Sequence, residues 1–295
     1  MQKHTLRDWI LATRPWSFPA SAMPVLVTVA WMYVHGCEVS WGMALAALVN
    51  IVLVHAAGNV WSDYHDYRQG VGRSDTYGVK ILTDGQFTPA EVWRLSLVLQ
   101  VVAVAMGLVM VWLTGWPLLL IGVAGIALSL LYPPLKYHAL GDVVILLCYA
   151  VLPMLGMTYI LGGRVDVQVL WIAVPVGLIT MGILHANNTR DIETDVRAQI
   201  KTFPMLTGRR LAVWIYVVEV MLPYLWLVLL VVLSRASWTV LLATLSLPLA
   251  VLNARTMLNY RKGGVESYAR LDEATAKLQL AFSVLLIVGL SLSLL

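Results

Sequence analysis

The chain has 295 residues, 60% of them hydrophobic and 12% charged, with mean hydropathy +0.79, values that exclude an ordinary soluble globular domain. A net charge of +4 and a pI near 9.1 do not point to nucleic acid, because the basic residues sit in short segments between apolar runs rather than in one patch, and no nucleic-acid partner is expected. Cys37 and Cys148 are the two cysteines, which leaves no disulfide framework and no CxxC metal pair.

The opening MQKHTLRDWILATRPWSF is polar and charged, without a small-residue cleavage site after a short apolar core, so no removed signal peptide is expected. Apolar runs long enough to cross a bilayer follow at 16–34, 41–61, 93–114, 116–132, 142–161, 168–186, 211–232, 237–254 and 278–295. The predicted fold class is therefore all-α, a polytopic membrane protein of about nine transmembrane helices, with residues 1–295 forming one integral membrane domain. The N-terminus and the four long connections at 62–92, 133–141, 187–210 and 255–277, with their helix ends, hold 18 of the 20 Lys and Arg residues, all but Arg164 and Arg235. That bias predicts a cytoplasmic N-terminus and places the long loops on the cytoplasmic face.

Two of these connections begin alike. HAAGNVWSDYHD (His55 to Asp66) and HANNTRDIETD (His185 to Asp195) each start with His-Ala at the end of an apolar run, and each has Asn followed four residues later by Asp. The match reads as a weak internal duplication of helices 2 and 6. On helices, Asn59, Asp63 and Asp66 share one face, and so do Asn187, Asp191 and Asp195. Four carboxylates and two amides facing a common cavity make an all-oxygen site suited to Mg²⁺, which bridges carboxylates to a substrate's phosphates. Lys136, in YPPLKYHALGD, has few places to go except the cytoplasmic mouth of the bundle, and Lys80 and Arg190 flank the acidic clusters. Cations of this kind complete a diphosphate site. A diphosphate head at the mouth of an apolar interior calls for a long hydrocarbon tail, and a polyprenyl diphosphate fits.

These residues resemble the UbiA superfamily of intramembrane prenyltransferases, whose acidic motifs follow helices 2 and 6; here they read NVWSDYHD and DIETD. The likeness runs from about Arg14 to Gly208. NNTRDIETD, KYHALGD, ILTDG at 81–85 and RPWSFPASAMPVL are most similar to the branch that prenylates 1,4-dihydroxy-2-naphthoate in menaquinone biosynthesis. The chain departs from that branch at Gly72, Gln199 and Phe203-Pro204. The resemblance implies a UbiA-type bundle around a central cavity and Mg²⁺-dependent transfer of a polyprenyl group to an aromatic acceptor. It implies that Asn59, Asp63, Asp66, Asp191 and Asp195 hold the metal, with Asp63 and Asp191 catalytic. Lys80, Lys136, Arg190 and Asn187 are expected to contact the diphosphate, and no obligate protein partner is expected. Other acceptors compatible with the family are 4-hydroxybenzoate, homogentisate, a tetrapyrrole or a lipid head group. Trp61, Tyr64, Tyr67, Tyr132 and Tyr137 are candidates to shield a carbocation, although each also suits an interfacial belt. His55 and His185 read as histidines hydrogen-bonded between helices, and Glu219 is an ionisable group inside helix 7 that the motifs do not explain. A membrane transporter is the rival class, but its polar groups usually lie near the bilayer midplane rather than at helix ends on one face.

Overall fold

A computed structural model describes residues 4–71 and 81–294. Among these residues there is no β-strand, and nine helices are long and apolar enough to span a membrane. They are α1 (Pro15–Val34), α2 (Trp41–Gln69), α3 (Pro89–Thr114), α4 (Pro117–Lys136), α5 (Gly141–Gly162), α6 (Val167–Arg190), α7 (Arg209–Val232), α8 (Trp238–Leu258) and α9 (Val265–Leu292). The all-α, nine-span expectation holds.

Local chemistry sets the helix ends. Thr88 and Glu91 form a reciprocal capping box, with the Thr88 N–H donating to Glu91 at 2.8 Å and the Glu91 N–H donating to the Thr88 hydroxyl at 3.3 Å, and Pro89 starts α3 where its missing N–H is harmless. The α2 helix meets no breaker until Gly70, whose φ of +78° ends it in the left-handed region. It therefore runs well past the predicted end at 61 and carries Asn59, Asp63 and Asp66 on its last turns. The last span also begins earlier than expected, with a 3₁₀ turn at Val265–Tyr268 and then an α-helix from Leu271 whose first turn carries Asp272 and Glu273, where acidic residues suit the helix dipole. Within α5 the segment Leu147–Val151 is π-helical. Pro153 cannot donate to the Tyr149 carbonyl, so the ladder widens there.

Large side chains from α1 and from α5 through α9 make the main core, including Trp31, Met154, Ile179, Tyr216, Leu227 and Phe282. The α9 helix packs against α1 and α6 and against the 3₁₀ opening of α8. At that last contact a Cβ on Gly289 would collide with the Thr239 carbonyl, so glycine is what allows the approach. By contrast, only 11% of the most apolar stretch of α3, and the same share in α4, is buried. Val98, Val101, Trp112 and Val123 are exposed on these two helices, which a hydrocarbon solvent accommodates.

A cavity of about 700 Å³ is lined chiefly by α2, α3, α4 and α5, with further residues from α1, α6 and α9. Its walls carry Gly58, Gly107, Gly122, Gly125 and Gly156, and a Cβ at Gly122 or Gly125 would meet open space. Along α4 the lining runs from Leu118 to Lys136, which at the helical rise is about 27 Å.

Candidate functional site

The polar end of this cavity is built from α2. Asn59 donates through Nδ2 to the Thr13 carbonyl and to the Ser17 hydroxyl, both at 3.0 Å. Asp63 is buried and ion-paired with Arg14 through Oδ1, while its Oδ2 is buried without a hydrogen-bond partner. Asp66 accepts from the Lys136 ammonium at 3.0 Å and from the Tyr137 hydroxyl at 2.7 Å. These contacts turn the three side chains to different partners, although they leave one helix together.

The second cluster is arranged differently from its expected form. Rather than one continuous face, α6 stops at Arg190, the chain bends at Asp191, and a short helix resumes over Ile192–Arg197. The physical reason lies in Arg190, which is buried and grips the next residue. Its Nε and Nη2 each donate to an Asp191 oxygen at 2.8 Å, while Nη1 donates to Asp272 at 3.0 Å and to the Ala269 carbonyl at 2.9 Å. With its amide turned to suit its neighbours, Asn187 donates to Asp191 at 3.1 Å and accepts from Arg190 at 3.0 Å.

The connection between α4 and α5 joins the two clusters. The Lys201 N–H donates to the Tyr137 carbonyl at 3.0 Å, which ties this loop to the segment after Asp195. Asp195 is buried, and burial pushes its carboxyl up to about 7; Lys136 opposes the rise, Asp191 and Asp66 add to it, and Arg190 opposes it. The Tyr137 hydroxyl is also pushed up, first by burial and then by the Asp66 charge.

Asn59, Asp66, Lys136 and Asn187 line the cavity, as do Asp272 and Glu273 of α9, whereas Asp63, Arg190, Asp191 and Asp195 do not form part of its wall. Lys80 lies outside the described residues. Among the described residues no three acidic, His or Cys side chains already converge as a metal cage; Arg14, Lys136 and Arg190 compensate the carboxylates instead. The donor set still fits a hard divalent cation, because it is all oxygen and the Asp63 Oδ2 is an orphaned buried carboxylate oxygen.

Three partners carry no local signal in the sequence: Arg14 reads there as one more positive residue beside a span, Tyr137 as an aromatic shield, and Asp272 falls within the 255–277 connection. Of the five candidate shielding rings, Tyr132 lines the cavity, joined there by Trp16 and Tyr149. His55 bonds Ser21 at 2.8 Å and stacks near Tyr149 at 4.4 Å, in keeping with its reading as a hydrogen-bonded histidine.

Behind the site, His185 Nδ1 lies 3.2 Å from Glu219 and 3.8 Å from Asp142, and all three residues are buried. Glu219→Ala removes the nearer of the two carboxylates at His185 and leaves the imidazole with Asp142 at 3.8 Å. It should destabilise the protein by about 1–3 kcal/mol, the loss of a buried polar partner, with a smaller loss for Glu219→Gln, measured by unfolding in mixed micelles.

Asp195 makes a pH prediction for metal-free protein. Its ordinary value is 3.8 and its folded value about 7, so between these the folded state binds more protons than the unfolded state. Its stabilising contribution is therefore present at low pH and declines as pH rises through that window. Melting in EDTA from pH 5 to 8 should show this decline, and Asp195→Asn should flatten it.

Comparison with known proteins adds the context for this geometry. The signature of the UbiA prenyltransferase family matches residues 21–271. UbiA prenyltransferase domain-containing protein 1 of Danio rerio is 33% identical over 291 residues, covering 97% of this chain and 84% of that protein. The apo structure of a UbiA homologue from Aeropyrum pernix K1 superposes with TM-score 0.70 at 17% identity, covering 99% of this chain and 100% of that one. A UbiA homologue from Archaeoglobus fulgidus, bound to GPP and Mg²⁺, superposes with TM-score 0.64 at 15% identity over 95% and 99% of the two chains. None of the three carries the name of the naphthoate-prenylating branch.

Proposed function

The chain belongs to the UbiA prenyltransferase family, and from that premise we propose that it transfers a polyprenyl group from a polyprenyl diphosphate to an aromatic acceptor, with Mg²⁺ as cofactor. The observation that carries this reading is that Asn59 and Asp66 of the first motif, Asn187 of the second and Lys136 line one end of a long, largely apolar cavity. The Archaeoglobus homologue, with GPP and Mg²⁺ bound, supports the same donor chemistry and metal here. The acceptor we propose is 1,4-dihydroxy-2-naphthoate, on the strength of the NNTRDIETD, KYHALGD and ILTDG stretches. The basic-residue bias supports an active site near the cytoplasmic face of the membrane.

Asn59, Asp63, Asp66, Asp191 and Asp195 would hold Mg²⁺, and the bound metal supplies positive charge to the leaving diphosphate. Lys136 and Asn187, on the cavity wall, bind the diphosphate directly. Arg190, with Nε, Nη1 and Nη2 all engaged, acts on the site through Asp191. The glycine-lined apolar wall takes the prenyl tail and keeps water from the reacting carbon. Tyr132 and Tyr149 line the same cavity and would stabilise developing positive charge there.

The test incubates purified protein with Mg²⁺, polyprenyl diphosphates of several lengths and a panel of aromatic acceptors, with products identified by mass. Prenylated naphthoate is the expected product. Transfer only to another ring overturns the acceptor assignment, and transfer to none overturns the reaction class.

A further inference from the structure

We propose that Asp272, on α9, is a positioning residue for the second acidic motif: through Arg190 it holds the Asp191 carboxylate in the orientation and charge balance that a divalent cation requires. The inference rests on the functional reading given for the site.

Arg190 is buried between two carboxylates, and only one of them belongs to a motif. Its Nε and Nη2 meet both oxygens of Asp191 at 2.8 Å, while Nη1 reaches Asp272 Oδ2 at 3.0 Å and the Ala269 carbonyl at 2.9 Å. Asp191 needs this support, because it sits at the bend where regular helix geometry lapses. Asp272 can give it, because its helix is anchored. Thr275, one turn later, bonds the Leu271 carbonyl at 2.7 Å and pairs with the Tyr216 hydroxyl at 2.6 Å, and the helix packs along α1 and α6.

The electrostatic consequence has a definite sign. Asp272 shares the guanidinium charge with Asp191. Without it, Arg190 bears more strongly on Asp191 and competes more with any metal for that carboxylate. Glu273, the next residue and also on the cavity wall, pairs with exposed Arg270 at 2.9 Å, so its removal deletes the same formal charge beside the same cavity without touching Arg190.

Binding of Mn²⁺, a spectroscopic substitute for Mg²⁺, to purified protein can be followed by electron paramagnetic resonance without any turnover. Asp272→Ala should weaken it about ten-fold or more, the loss of one charge-assisted hydrogen bond. Asp272→Asn, closer in shape, should fall between wild type and alanine and serves if alanine does not fold. Glu273→Gln should stay within about two-fold, as for an exposed ion pair. In turnover, the Mg²⁺ needed for half-maximal rate should rise with Asp272→Ala, while the donor KM at saturating Mg²⁺ stays unchanged. Wild-type affinity in folded Asp272→Ala, or equal weakening by Glu273→Gln, overturns the proposal alone. Wild-type protein that binds no Mn²⁺ overturns the functional reading and the proposal with it.

Discussion

Asp191→Ala is expected to reduce prenyl transfer by about 10³-fold, the scale seen when a group stabilising transition-state charge is removed, while the protein stays folded in detergent. The structure explains why this variant is the cleaner test of the acidic motifs. Arg190 keeps Asp272 and the Ala269 carbonyl when Asp191 is lost, so no buried charge is abandoned. Asp63→Ala should lower turnover as much, but Asp63 is the ion-pair partner of Arg14. Its loss leaves a partly buried guanidinium without that carboxylate, so melting should fall as well. Steady-state rates beside melting curves separate the two effects. Near-wild-type activity in either variant removes these carboxylates from the metal site.

Lys136→Met should lower kcat/KM for the polyprenyl diphosphate by about 100-fold. Among the described residues lining the cavity, Lys136 and Arg14 carry the fixed positive charges, and Arg14 is engaged with Asp63. Lys136 is paired as well, its ammonium bonding Asp66 at 3.0 Å, and it is the cation proposed above to meet the diphosphate. The loss should fall on the donor rather than the acceptor, and Lys136→Arg should recover part of it, since a guanidinium keeps the charge but not the compact shape. Kinetics with donor and acceptor varied in turn test this; an equal loss on both substrates, or none, assigns Lys136 a structural role.

The nine spans were legible because a bilayer demands long apolar runs, and each appears in the structure within a few residues of its predicted start, apart from α9. The spacing of Asn59, Asp63 and Asp66 was legible for the same kind of reason, since helical periodicity is local. What sequence could not supply were the cross-chain partners of those residues. Arg14 pairs with Asp63 across 49 residues, Tyr137 with Asp66 across 71, and Arg190 with Asp272 across 82. No local pattern marks such pairs, and Arg14 looked like one more positive residue beside a span. The bend at Asp191 was hidden too, because Asn-to-Asp spacing reads as continuous helix until the grip of Arg190 on its neighbour is seen. Glu219 was noticed as an expensive group within a span, but its partners His185 and Asp142 come from two other helices.

The central claim is that the divided acidic site and the apolar cavity act together on one substrate, a polyprenyl diphosphate. The most direct measurement is diphosphate release from that donor by purified protein in detergent, with Mg²⁺ or with EDTA, in the presence of an aromatic acceptor. Release matched mole for mole by prenylated acceptor, and abolished by EDTA, is the predicted result. No release with any acceptor, together with solute flux through the protein in liposomes, would contradict it.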